Sequence, residues 1–349
     1  MSVSHCILVL FVASIAPAAV AGDAAAAPVT LDEAILEARA QSPELRAASE
    51  RIAAARSLRG QAGALPNPEI SAAWEGIDGD PIEEADLILA VGLPLDLAGV
   101  ARARRREADA EVEAARARRE GAIRDLDARV REAFHGVVAA RALLAVADSA
   151  AGVTEATALA VRRQLEAGKV SPVLLTRAEA AEGTARAEAA AARSREIVAR
   201  RRLAALLGRK EAADLEVRGE LRAPGESLSR GDLLGELRAT HPAVLESRWT
   251  TARLAHAGSV ARRERWPRLV PEVGLRRRAS ADATDLRAGV SLELPLFDRK
   301  GQAAQAAEQE RAAAAAGTEA LIRDLVLDAE TGLLALAVVQ ELGTRMGVV

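Results

Sequence analysis

Residues 123–172 read IRDLDARVREAFHGVVAARALLAVADSAAGVTEATALAVRRQLEAGKVSP. Within them Ile123, Leu126, Val130, Ala133, Val137, Ala140, Leu144, Ala147, Ala151, Thr154, Ala158, Val161 and Leu165 follow one another at steps alternating between three and four. That spacing is the seam of a coiled coil. No proline interrupts the chain from Gly99 to Ala167, so one helix of about 69 residues would extend roughly 100 Å, far beyond a compact domain. Many seam positions are alanine, which lets backbones approach closely and suits helices laid side by side into a wall. The pattern stops at Gly168-Lys169-Val170-Ser171-Pro172. There glycine suits a left-handed C-cap, serine can cap the next helix and proline fits its first turn. A return helix is predicted from about Val173 to Leu207, with Leu174, Ala178, Ala181, Ala185, Ala189, Ala192, Ala199, Leu203 and Leu206 as its apolar positions. Gly208, and then Pro224 and Gly225, mark a linker.

The composition agrees with thin layers of small residues. The 349-residue chain is 50% hydrophobic but only 2% aromatic, which leaves little for a thick globular interior. Charged residues make up 28%, the net charge is -3, and arginines alternate with acids, so nucleic acid is not an implied partner. The run Arg102-Ala103-Arg104-Arg105-Arg106 is followed at once by Glu107, Asp109 and Glu111. It reads as a mixed-charge helix surface, with a lumenal or headgroup-facing role as the sharper alternative.

Residues 1–21, with an apolar run from Cys6 to Ala13 and Ala19-Val20-Ala21 before Gly22, have the pattern of a secretory signal peptide. The only cysteine, Cys6, lies inside it, so the exported chain is expected to hold no thiol, disulfide or cysteine nucleophile. No later segment has 18 consecutive apolar residues, and no membrane-spanning helix is expected.

The chain repeats itself at a period near 200 residues. Glu37 to Pro43 recurs as Glu236 to Pro242, Pro68-Glu69-Ile70 as Pro271-Glu272-Val273, and Leu93-Pro94-Leu95-Asp96 as Leu294-Pro295-Leu296-Phe297-Asp298. Three motifs in one order at nearly one offset imply a duplicated unit of helix, strand, strand and long helix. Pro68, Pro94, Pro271 and Pro295 are read as strand–helix junctions. Between them Ile70, Ala72 and Trp74, then Leu87, Leu89, Val91 and Leu93, and then Leu286, Ala288, Val290, Leu292 and Leu294 alternate with residues that, apart from Ile88, are polar or small. The same alternation serves a lipid-facing barrel strand and a half-buried soluble strand, and on pattern alone the soluble reading comes first. Residues 76–84 read as an exposed acidic turn, with a counterpart at about 279–285. The expected organisation is a signal peptide at 1–21, a linker at 22–28, a first repeat at 29–225 and a second at 226–349. The first repeat runs from Gly99 to the tip Gly168, so the second tip is expected near residue 370; the second repeat therefore reads as truncated at Val349.

Catalytic chemistry has no visible seat. His135, His241 and His256 are far apart without partners at metal-ligand spacing, Glu83-Glu84 has no nucleophile beside it, and neither a phosphate-binding loop nor a nucleophile elbow is present. No enzyme activity, cofactor or metal is expected.

Taken together, Thr30-Leu31-Asp32-Glu33-Ala34-Ile35 with Pro43, Pro66-Asn67-Pro68, the two Leu-Pro-Leu exits, the tip from Leu165 to Pro172 and the helix ending Leu206-Leu207-Gly208 resemble the TolC-like outer-membrane efflux protein family. The Gly-x-x-Ser-Pro tip is most similar to its cation-efflux branch. The resemblance covers nearly the whole exported chain and implies a mainly α protein with a small β part. It implies long helical hairpins forming a periplasmic α-barrel, and four strands per protomer contributed to a shared trimeric outer-membrane β-barrel. It also implies a homotrimer embedded in outer-membrane lipid with a large periplasmic part. As a passive duct, it would take substrates from an inner-membrane pump through a periplasmic adaptor docked at Gly168, Lys169, Val170, Ser171 and Pro172. Two alternatives stay open: a periplasmic coiled-coil scaffold without a pore, and a truncated relative that conducts nothing. Only Trp74 and Phe297 lie near expected strand ends, so aromatic girdles are expected to be sparse.

Overall fold

A computed structural model describes residues 28–76, 85–210, 215–221, 229–278 and 281–345. The signal-peptide segment, residues 22–27, most of the acidic turn (77–84), residues 279–280 and Pro224-Gly225 lie outside the described residues.

The chain opens with α1 (Leu31–Gln41), whose start is a reciprocal capping box between Thr30 and Glu33. It does not run on as one helix. Pro43 removes an N–H and holds Ser42 in extended backbone at ψ 118°, and α2 (Pro43–Ala62) starts afresh with the Ser42 hydroxyl accepting from Leu45 N–H at 3.2 Å. There follow β1 (Glu69–Glu75), β2 (Asp86–Gly92), α3 (Val100–Glu166) and α4 (Pro172–Leu206). The order short helix, helix, strand, strand, long helix then recurs as α5 (Arg230–Thr240), α6 (Pro242–Arg263), β3 (Arg268–Arg278), β4 (Ala283–Glu293) and α7 (Gly301–Arg345).

α3 is a single 67-residue helix. All thirteen seam positions are buried or half-buried, while most of the residues between them are exposed. In α4 the expected apolar register needs correction. Leu174 and Ala181 are exposed, and the covered line runs through Leu175, Ala178, Glu182, Ala185, Ala189, Ala192, Glu196, Ala199, Leu203 and Leu206. Two carboxylates sit in it because each reaches an arginine one turn on, Glu182 to Arg186 and Glu196 to Arg200, so their methylene stems fill the seam while their charge is paired. Ion pairs between the two helices flank it, among them Arg162–Glu179 at 2.6 Å and Arg186–Glu155 at 3.3 Å.

Among the described residues α3 is also long and apolar enough, by length and composition, to cross a membrane, though little of that stretch is buried. The test of consecutive apolar residues misses it because single charges such as Arg141 and Asp148 interrupt the run. Along its seam this helix is paired with α4, which carries Arg193, Glu196 and Arg200.

The main core lies where α1, α3 and α4 meet: Ala34, Ile35 and Ala38 pack with Leu126, Val130, Phe134, Val137, Leu203 and Leu207. A short strap, residues 215–221, closes it. Val29 and Val217 form a parallel bridge (Val29 N–H to Glu216 O, 2.8 Å; Arg218 N–H to Val29 O, 2.9 Å), and Arg141 donates to Val217 O at 3.1 Å. Above it α3 packs on α2 and α6, and α7 on α6, through layers dominated by alanine such as Ala55 and Ala115, or Ala261 and Ala307.

Candidate functional site

The four strands form one antiparallel sheet in the order β1-β2-β3-β4, so β2 and β3 join the two halves of the chain. The register puts Ile70 opposite Val91 and Val91 opposite Val273, Ala72 opposite Leu89 and Leu89 opposite Leu275, and Leu275 opposite Leu286. Side chains directly opposite one another share a face, so these residues, with Trp74, Val290 and Leu292, make one continuous apolar surface. That surface is open: Ile70 is 82% exposed, Leu286 76% and Val290 68%. A half-buried strand of a soluble protein would cover these residues, and here the other face is the more covered one in β2, where Ile88, Ala90 and Gly92 are buried. The outer edges of β1 and β4 have no strand beside them among the described residues.

The opposite face is mostly polar and small, apart from the buried Ile88 and Val270. It carries Glu69, Ser71, Ala90, Gly92, Glu272, Gly274, Arg276, Asp285 and Arg287. Near the turn end Arg276 bridges Asp86 at 2.6 Å and Glu75 at 3.6 Å, Arg287 reaches Glu75 at 3.7 Å and Arg278 pairs with Asp285 at 2.7 Å. These partly exposed pairs add little to stability.

At the helical end the four junction prolines separate. Pro68 lies directly before β1, and Pro94 and Pro295 lie just after β2 and β4. Pro271 does not sit at a junction: it lies inside β3, opposite Val290. Its carbonyl accepts from Leu93 N–H at 3.0 Å, but with no hydrogen of its own it cannot return the bond, so the β2–β3 ladder breaks after Gly92 opposite Glu272 and resumes only as a single bridge, Leu95 N–H donating to Leu269 O at 2.9 Å. β3 extends past the proline because β4 pairs with it as far as Arg268. Asp96 then turns the chain into α3, its carboxylate accepting from Val100 N–H at 2.7 Å and Ala101 N–H at 2.8 Å. The basic run beyond it is partly paired, Arg104 with Glu264 at 2.6 Å. Exposed aromatic residues flank the sheet: Trp74 towards the turn end, and Trp266 (70% exposed) and Phe297 at the helical end. The sequence pattern does not mark Trp266 as a girdle residue, because it sets the strand start at Pro271, whereas β3 begins at Arg268.

At the far end of α3 the tip forms a Schellman turn. Gly168 has φ +70°, its N–H bonds to Leu165 O at 2.9 Å, and Lys169 N–H bonds to Gln164 O at 2.9 Å. Pro172 opens α4 as expected, but Ser171 makes no side-chain cap; its carbonyl accepts from Leu174 N–H at 3.0 Å instead. Gly168, Lys169, Ser171 and Pro172 are exposed and Val170 is half-buried, and Val173 and Leu174 extend an exposed apolar edge beside them.

His241 occupies in the second half the place that Ser42 holds in the first, before the proline of a helix start, yet it provides no cap and its Nδ1 is buried without a partner. Burial, with Arg124 close by, pushes its pKa below the ordinary 6.5, against a smaller opposing effect of Asp125. A depressed pKa means that the unfolded chain takes up the proton first. Stability is therefore unaffected well above pH 6.5 and falls as the pH drops below it. His241→Ser should remove this component and restore a cap, so thermal melts of the purified protein at pH 8 and pH 5.5 should differ less for the variant than for the native chain.

Residues 34–209 match the family model described as outer membrane efflux protein, and the chain belongs to that family. It is 30% identical over 276 residues to the cobalt-zinc-cadmium resistance protein CzcC of Cupriavidus metallidurans, a match covering 79% of this chain and 65% of that protein. The chain thus spans just under two thirds of the length of this relative. Its fold is that of solved channels: CusC (TM-score 0.73, 19% identity, covering 91% of this chain and 77% of that one) and the outer-membrane channel OprN (0.72, 23%, 91% and 75%). The outer membrane protein VceC of Vibrio cholerae is similar too (0.67, 20%, 84% and 75%).

Proposed function

We propose that the chain is the outer-membrane channel of a tripartite efflux or export system, a passive duct with no catalytic centre. The observation that carries this reading is the four-stranded sheet, with its apolar face open, its other face lined mostly by small and charged residues, and both edges unpaired among the described residues, above a wall of long helices. An exposed apolar face of this size is unfavourable in water but stable against lipid, and unpaired edges in a membrane must be closed by other strands. Four strands are too few to close alone, so three copies would complete one barrel in outer-membrane lipid. β3 and β4, at 11 residues each, have the length a tilted membrane strand needs, about 9–11 residues. The two halves, 29–225 and 226–349, are repeats of one unit that bring their hairpins together at β2–β3.

The tip from Gly168 to Pro172 is the site at which a periplasmic adaptor would dock, with an inner-membrane pump supplying energy and helix movement at this turn opening the duct. Likeness to CzcC and the Gly-x-x-Ser-Pro turn favour divalent metal cations as cargo. The test is membrane fractionation of cells expressing the chain, with the native mass in detergent. A detergent-stable trimer in the outer membrane is expected, and a soluble periplasmic monomer would exclude the duct. Lys169→Glu should leave that trimer intact while lowering cation tolerance of the host, and unchanged tolerance would remove the tip assignment.

A further inference from the structure

At the helical end of β4, on the side continuous with the open apolar face, lies a groove of about 460 Å³ walled by Pro267, Leu294, Pro295 and Leu296 and bordered by Arg265 and Arg299. Three cations close to this groove are neutralised: Arg104 by Glu264, Arg268 by Glu69 and Lys300 by Asp298. Arg265 and Arg299 are not. Both are exposed, neither has a carboxylate partner among the described residues, and Arg299 donates only to Leu296 O at 3.3 Å. The Arg265 guanidinium lies beside Gly301, where a Cβ would come within 3.8 Å of its Nη2.

Leu294 and Leu296, 50% and 59% exposed, follow Leu292 and Val290 just beyond the end of β4, and Phe297 and Trp266 stand exposed at the same end of the sheet. Aliphatic side chains above, aromatic rings at the boundary and two unneutralised guanidiniums below reproduce the layering of acyl chain, interface and headgroup.

We propose that this groove is a binding site for one phospholipid of the leaflet nearer the helices. Its phosphate would be held by Arg265 and Arg299 and its acyl chains would lie along Leu296, Leu294 and Leu292. The proposal rests on the outer-membrane reading above. Guanidinium forks suit phosphate oxygens geometrically as well as electrostatically. The groove is continuous with the apolar face, which favours a lipid over free phosphate.

Native mass spectrometry of the detergent-solubilised, delipidated protein, titrated with phosphatidylglycerol, diacylglycerol or inorganic phosphate, tests it. One phosphatidylglycerol adduct per protomer is expected. Its apparent affinity should fall about fivefold for each arginine neutralised, as Arg265→Gln, Arg299→Gln and the double variant, at roughly 1 kcal/mol per basic residue at a membrane surface. Diacylglycerol should bind no better than to the double variant, and millimolar phosphate should not displace the lipid. Adducts unchanged in both single variants, equal retention of diacylglycerol, or displacement by free phosphate would each overturn the site. The same spectra report the trimer mass: a trimer without lipid discrimination defeats this proposal alone, whereas a monomer defeats the channel reading beneath it.

Discussion

Gly274→Ala is expected to prevent the sheet from forming. An added Cβ at this position would lie 2.3 Å from Leu89 O, 2.7 Å from Ala90 Cβ and 2.8 Å from Ala90 Cα. Two of these are backbone atoms, which cannot swing aside as a side chain can, so β2 and β3 would have to separate at the pairing that joins the two halves of the chain. Overpacking of a tight site costs about 1–3 kcal/mol when side chains can yield, and the upper end or beyond is expected here. Gly289 supplies the control: it is in the same sheet, one strand over, and a Cβ there meets nothing within 4 Å. Gly289→Ala should reach the outer membrane at native levels and Gly274→Ala should not, as read by heat-resistant oligomer in the outer-membrane fraction. Equal amounts of the two would mean that β2 and β3 do not approach as described.

The second large effect is expected at Phe134, the one aromatic residue of the main core and 2% exposed. Its ring lies under the strap: a Cβ on Gly219 would approach its Cε1 to 2.7 Å. With so few aromatic residues in the chain, no neighbour has the volume to replace it, and Phe134→Ala should leave a cavity costing about 3–5 kcal/mol. Chemical denaturation followed by circular dichroism gives the loss directly, and limited proteolysis should show cleavage in the strap well before cleavage in α3. Phe297→Ala, at a residue fully exposed in the protomer, should leave the same denaturation curve unmoved. A loss below 1 kcal/mol at Phe134 would show that the strap is not docked on the core.

How much of this was legible in advance depends on how sharply each segment contrasts apolar with polar. The α3 seam was readable because Leu, Val and Ile, interspersed with Ala and one Thr, hold one register at thirteen positions over about twelve turns. The α4 register was readable from Ala185 to Leu206 and was missed at two positions: Leu174 and Leu175 are the same residue type, and beside the apolar Ala181 it is the charged Glu182 that is covered, its charge paired with Arg186. Ser42 and His241 mark helix starts by the prolines that follow them, but only packing against α3 buries His241 Nδ1.

From the sequence alone came the mainly α architecture, the length of α3, the turn at Gly168 and the alternation of the strands. All of these are local consequences of periodicity and of glycine and proline geometry, which act within a few residues of themselves. The tertiary structure alone decided which strand face is open, that Pro271 lies within β3, that Gly274 must lack a side chain, and that Arg265 and Arg299 border one groove. These depend on residues brought together from distant parts of the chain, as in the pairing of β2 with β3, and no local pattern encodes which backbone atom will lie within van der Waals distance of another.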